Sequence, residues 1–258
     1  VHAAAVSPPG VNLRWDQCYA DHGTWNKNFA CDTNTGTERL EGSFELDAEL
    51  AGVSGLEMFV DVGSTSATIP TWWQLQNAGT CRSTSLTFST FPPAGSSRCV
   101  DWAAGQSAGG IGAYTIGSIG SDRARIVIAA AVPQSALATL SPGQEYFAFT
   151  LTINHAKTVG TGACAGCLEP MCIFFSGMRV PDQGSGYRIA LTRGANYSGS
   201  QYATWQQGYP INILTGGCGG MTGGGLICQF MQTTFGCVLA TPTSSRGSTW
   251  GQVKSLYR

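Results

Sequence analysis

Apolar and polar positions alternate cleanly in two neighbouring stretches of the chain. In Ser43-Phe44-Glu45-Leu46-Asp47-Ala48-Glu49-Leu50, the apolar Phe44, Leu46, Ala48 and Leu50 are separated by acids. A period of two with one charged face is the pattern of a half-buried strand. "LEMFVDV" (56–62) repeats it beyond a glycine-bearing turn, "AGVSG", so the two stretches read as an antiparallel pair. Further short strands are predicted at "RARIVIAAAV" (123–132), "EYFAFTLTI" (145–153), "CIFFSGMRV" (172–180), "YRIALT" (187–192) and "LICQFMQTTF" (226–235). In 145–153 the alternation sets Phe147, Phe149, Leu151 and Ile153 on one face and Ala148, Thr150 and Thr152 on the other. Only "PQSALATLSPG" (133–143) offers a helical turn.

Short strands bounded by Gly, Pro or Ser, with almost no helical periodicity, predict an all-β fold. The expected form is a disulfide-stapled antiparallel β-sandwich, jelly-roll or Ig-like, with long Gly-rich loops. No fixed-period repeat or long linker divides the chain, so residues 1–258 read as a single domain. Two segments are set apart from its core. An apolar N-terminal arm, about residues 1–14, is suited to completing a neighbour's sheet. A Gly-rich inserted loop or hairpin, about 215–237, contains "TGGCGGMTGGG" (215–225). The ending, "TWGQVKSLYR", permits a short amphipathic helix or a final strand, and the strand is favoured.

Charged residues are 11% of the chain and the formal net charge is −1, against about 25% charged in an ordinary domain. A nucleic-acid binder, which needs a basic face, is excluded. Between Arg193 and Arg246 there is no charged residue or histidine, so this tract cannot repel a neighbour electrostatically. No run approaches the ~18–20 apolar residues of a membrane helix, and the chain is not read as membrane-integral. The 10 cysteines are an even number, which suits an oxidising compartment. An extracellular or cell-surface protein is expected, and "VHAAAVSPPG" resembles the start of a mature chain whose export signal has been removed.

Cys164, Cys167 and Cys172 crowd into "TGACAGCLEPMC" (161–172). A zinc site there would need a fourth ligand such as His155 or Cys237; redox chemistry would need the C-x-x-C to open a helix. Disulfides are the preferred reading, and no metal or cofactor is expected. Cys18 with Cys31, and Cys81 with Cys99, are spaced to close modest loops. Cys218 and Cys228 flank the Gly-rich segment, and Cys237 is the favoured remote partner of the cluster.

Catalytic groupings are sparse, and the chain is not read as an enzyme. His2, His22 and His155 are scattered, and His22 beside Asp21 reads as a solvated pair. Asp32, Asn34 and Gly36 in "CDTNTGTE" loosely match a calcium loop but lack its remaining ligands, so a turn is expected. The aromatics offer more. Trp72 and Trp73 are adjacent, one expected inward and one outward, while Tyr197, Tyr202, Trp205 and Tyr209 lie in or beside the uncharged tract. These six are candidates for stacking on sugars or anchoring a protein interface.

The runs "NKNFACDTNTG" (26–36), "TWWQLQNAGTCR" (71–82), "INHAKTVGTGACAGC" (153–167) and "STWGQVKSLYR" (248–258) together resemble a group of uncharacterised secreted bacterial proteins, the ending being the most specific mark. The resemblance implies an exported, cysteine-bearing protein and supplies no catalytic residues. A weaker similarity, carried by Val53-Ser54-Gly55-Leu56 followed by "RARIVIAAAV", is to cohesin-like and carbohydrate-binding sandwiches. The expected function is an extracellular structural protein that self-associates into a filament, tube or surface layer, its partners being copies of itself. The alternative is a secreted carbohydrate-binding or adhesion module built on Trp73, Trp205 and Tyr209, with a polysaccharide as partner.

Overall fold

Strands form where one side of an extended segment meets the core: in Gly55–Ser64 the alternate residues Leu56, Met58, Val60 and Val62 are all buried. The computed structural model describes residues 9–76, 80–181, 187–191, 200–213 and 234–239; for 187–191, 209–213 and 234–239 the backbone alone is described. In chain order the strands are β1 (Gly10–Trp15), β2 (Asn26–Lys27), β3 (Thr37–Glu45), β4 (Leu50–Val53), β5 (Gly55–Ser64), β6 (Leu86–Ser89), β7 (Val100–Asp101), β8 (Ala108–Ile116), β9 (Arg123–Ala131), β10 (Ala138–Leu140), β11 (Tyr146–Asn154), β12 (Met171–Pro181), β13 (Tyr187–Leu191), β14 (Tyr202–Trp205), β15 (Gly208–Ile213) and β16 (Thr234–Leu239).

The fold is the expected all-β, disulfide-stapled sandwich. One sheet runs β1-β3-β11-β6, with β7 sharing the flank of β11 that β6 occupies. The other runs β2-β14-β12-β5-β9-β8, with β13 beside β14 on the same flank of β12. Two short pairs, β4–β10 and β15–β16, complete it. The core between the sheets gathers Leu13, Leu40 and Phe44 from one side, with Met58, Ile128 and Phe175 from the other. At one rim, the Leu13 amide donates to the Ser200 carbonyl (2.7 Å) and Trp15 Nε1 to that of Thr204 (2.9 Å), which joins β1 to β14. At the opposite rim, the Thr90 hydroxyl donates to the Ser107 carbonyl at 3.1 Å, just before β8.

Three sequence expectations change, and the helical turn is found. The stretches 43–50 and 56–62 are not partners: β3 pairs with β1 and β11, whereas β5 lies in the other sheet between β9 and β12. The chain turns through exposed Asp47, Ala48 and Glu49 and crosses from one layer to the other. In β11, a bulge between Phe147 and Phe149 breaks the alternation, so Phe147 leaves the main core and packs against Cys18 and Cys99. The helical turn in 133–143 is a single 3-10 turn, Gln134–Ala136, followed by β10. The arm is shorter than about 1–14, because Gly10–Trp15 is already a strand of the protein's own sheet; residues 1–8 lie outside the described residues. So do 214–233, most of the Gly-rich insertion, and the ending 240–258.

A second bulge, between Phe175 and Gly177 in β12, keeps Phe175 and Met178 both inward. It leaves the Ser176 hydroxyl donating to Asp61 on the outer face. There Arg125 grips Asp61 with two bonds, Nε at 2.6 Å and Nη2 at 2.7 Å. The β15–β16 pair lies against β5 and β12, and Asp61 is 1% exposed. Breaking a buried ion pair by removing one partner costs about 3–5 kcal/mol. Asp61→Ala is expected to destabilise by about 3 kcal/mol, the lower end, because the arginine keeps some contact with water; denaturant unfolding measures it.

Candidate functional site: an open sheet edge beside a sealed core

The cysteines that suggested chemistry are covalent ties. Cys18 bonds Cys99, Cys31 bonds Cys167, and Cys81 bonds Cys164. The expected short loops, Cys18 with Cys31 and Cys81 with Cys99, are therefore incorrect. Each cysteine is instead held by sheet packing beside a partner remote in sequence. Within the cluster no bond is internal: Cys164 reaches the loop before β6, and Cys167 the loop before β3. Cys172 is also disulfide-bonded. Cys218 and Cys228 lie outside the described residues, and Cys237 stands opposite Pro210 in β16 with its side chain outside the description. Cys18, Cys99 and the Glu145 carboxylate fall within 4.8 Å of one another, yet the two sulfurs are bonded together and have no thiolate to offer a metal.

Three of the six candidate aromatics are core rather than surface, a correction to the expected ligand role. Trp72, Trp73 and Trp205 are each 0% exposed. Trp205 stacks on Trp72 and meets Trp73 edge-on, both at 5.5 Å between centroids. Its Nε1 donates to the Cys167 carbonyl at 2.7 Å, and Trp72 Nε1 to the Thr158 hydroxyl at 3.0 Å. Trp72 and Trp73 sit in a 3-10 turn, Thr71–Trp73, where neighbouring side chains diverge by about 120°, so both fit under one cover. That cover is the disulfide-tied loop around Cys164 and Cys167. Tyr202 is half-buried; Tyr197 lies outside the described residues, as does the side chain of Tyr209. An exposed aromatic that the sequence did not single out is Trp25, half exposed between β1 and β2.

His155, the histidine nearest the cysteine cluster in sequence, is buried. His155 has both ring nitrogens engaged, Nδ1 at 2.7 Å from the Thr35 carbonyl and Nε2 at 2.9 Å from Glu38, and Phe29 stacks on it at 3.8 Å. A carbonyl can only accept, so Nδ1 carries the hydrogen. Lys27 bridges Glu38 to Asp16, completing a chain of alternating charge. Asn34, half of the loose calcium match, instead clamps the loop after β11, its Oδ1 accepting from the amides of Thr158 (2.7 Å) and Val159 (2.9 Å). Asp21 accepts from the backbone of Ser97, Arg98 and Cys99, so it forms a loop clamp, not a base pair with exposed His22.

On the outer face of β3, Glu41 is 0% exposed and Glu145 3%. Burial pushes the Glu41 carboxyl up to about 7, against the opposing effects of the Thr150 hydroxyl and Arg39. Burial also raises Glu145, which accepts from Ser43 and from the amides of Tyr19 and Ala20. Raised acids are candidates for catalysis where substrate reaches them. These two are closed over by the packed protein, and their titration acts on stability.

The feature left open is the rim of the second sheet. Among the described residues β8 is its last strand, pairing with β9 on one side only. Ala108, Gly109, Gly112 and Thr115 along it are exposed. From Asp101 to Asp122 the sequence holds neither a charge nor a proline, the usual guards of an edge strand. A bulge at Gly112, between Ile111 and Ala113, interrupts the strand. Across the face of β8, β9 and β5 lies an open groove of about 1020 Å³, lined by small residues including Ala108, Gly110, Ala129 and Ala131, with Glu57 and Pro181 also in its wall. Sequence reading missed β8 because "AGGIGAYTI" shows no bulky alternation, although its lack of charge was visible. The chain matches no family model, no curated protein and no solved structure at a significant level.

Proposed function

We propose that this protein is an extracellular structural subunit that associates with copies of itself into a filament, tube or surface layer. The carrying observation is the β8 edge: a nine-residue strand that among the described residues pairs with β9 alone and carries no charge. Edge strands of this kind add another strand readily. Three disulfides tying distant segments suit an oxidising exterior and favour a rigid subunit. No described helix is long and apolar enough to cross a membrane. The alternative, a carbohydrate-binding or adhesion module, loses Trp73 and Trp205 to the core and keeps Tyr209, whose side chain lies outside the described residues.

Sedimentation velocity over a concentration series tests the reading. Species growing well beyond the 27.0 kDa monomer, with ordered polymer in electron micrographs, are expected. A chain that stays monomeric at the highest concentration sinks it.

A further inference from the structure

We infer that Arg82 anchors a binding site for a small oxyanion, of the size of phosphate or acetate. Its side chain is buried, the residue being 1% exposed. The guanidinium carbon stacks over Trp72 at 3.6 Å from the ring centroid, and Nη2 donates to the Asn154 carbonyl at the end of β11. Nε and Nη1 are buried as well, and among the described residues no acceptor meets either of them.

A guanidinium stays charged in a protein, and a buried charge is normally held by one of opposite sign. Among the described residues, which include every acid of the chain except Asp182, none pairs with Arg82. Arg125 supplies the comparison within the same molecule. Its Nε and Nη2 both bond Asp61, at 2.6 and 2.7 Å, and that partner raises its basicity. Burial with no such carboxylate pulls Arg82 down to about 10.

An oxyanion restores to Arg82 what Asp61 gives Arg125, because its oxygens accept the N–H bonds that a planar guanidinium offers in a fixed fork. The stack on Trp72 and the bond to Asn154 hold the fork in place, with Nε and Nη1 left to donate. Burial sets the size of the ligand. A guanidinium this enclosed shows no face to a macromolecule, whereas a small ion needs no more than a local opening of the turn that carries it. That turn lies at the surface, with Cys81 and Ser83 half-buried and Thr84 exposed, and the Cys81–Cys164 bond keeps it tethered.

Calorimetric titrations and thermal midpoints test the inference on the parent, Arg82→Gln and Arg82→Lys. Sodium phosphate and sodium acetate are the two probes, each at constant ionic strength, in an amine chloride buffer and at one dilute protein concentration. In the parent the midpoint rises and levels off as one ion binds per chain. Arg82→Gln shows neither effect, and Arg82→Lys, a point charge without the fork, binds about tenfold more weakly. Binding of phosphate alone identifies a tetrahedral ligand and binding of acetate alone a planar one, and either supports the site. A midpoint that climbs without levelling, equally in all three proteins, is the general exclusion effect of salts and overturns the inference. So does a parent that responds to neither anion, since water then serves Nε and Nη1. Should Arg82→Gln not fold, equal affinity in the parent and Arg82→Lys removes Arg82 from the site.

Discussion

Replacing Cys31 and Cys167 together with serine lowers the free energy of unfolding by about 4 kcal/mol, as measured by reversible denaturant unfolding. The bond spans 136 residues of sequence, but Cys18–Cys99 and Cys81–Cys164 persist in the unfolded chain and shorten the loop it closes to about 35 residues. Both cysteines are replaced so that no lone buried thiol confuses the comparison. A loss under about 1 kcal/mol would show that the unfolded chain gains little freedom when the bond is removed. Mass mapping of an unreduced digest checks the pairing itself: a peptide joining Cys18 to Cys31 would refute it.

Stability falls as pH rises from about 4.5 to above 7, and Glu41 is the principal cause. Its carboxyl titrates near 7 in the folded protein, against 4.5 as the ordinary value. The folded state therefore holds the proton more tightly than the unfolded state. The contribution is fully present below about pH 4.5 and is lost as pH rises through about 7. At 1.36 kcal/mol per pH unit, the difference amounts to about 3 kcal/mol. Glu145, raised in the same direction by burial, adds to the slope. Glu41→Gln keeps an acceptor for the Thr150 hydroxyl and should flatten most of the dependence, stabilising the protein by about 3 kcal/mol at pH 8 relative to the parent. Thermal midpoints at pH 5 and pH 8 decide it: parallel shifts in the parent and Glu41→Gln would rule Glu41 out as the cause.

The strands that carry bulky alternation were legible in the sequence, because alternating apolar side chains leave the same mark whichever strand lies alongside. β5, β9, β11 and β12 fall where 56–62, 123–132, 145–153 and 172–180 predicted them. Partnership was not legible. The phases of 43–50 and 56–62 fit a hairpin, but exposed Asp47–Glu49 lets the chain change sheets. Phe147 was assigned to the wrong face, because a bulge adds a residue that periodicity does not count. The disulfides were misassigned for a related reason: spacing along the chain measures loop length, whereas a bond records which segments the sheets bring together.

The candidate site shows the same limit from the other side. Trp72, Trp73 and Trp205 drew attention because large aromatics in an uncharged setting suit ligands, yet the same size makes them natural fillers of the core. β8 drew none, because glycine and alanine give no periodic signal. Its position at a rim rests on β9 being its single partner among the described residues, which only the folded topology reveals.

The cysteine pairing has a consequence for proteolytic damage. Every peptide bond between Cys18 and Cys167 lies within the span of Cys18–Cys99 or of Cys31–Cys167. A protease that nicks any one exposed loop in that region therefore leaves two fragments still covalently joined. The exposed turns at Asp47–Glu49 and around Gly160 and Gly162 are places where a single cut does not release a piece, so a chain nicked once there stays one covalent molecule.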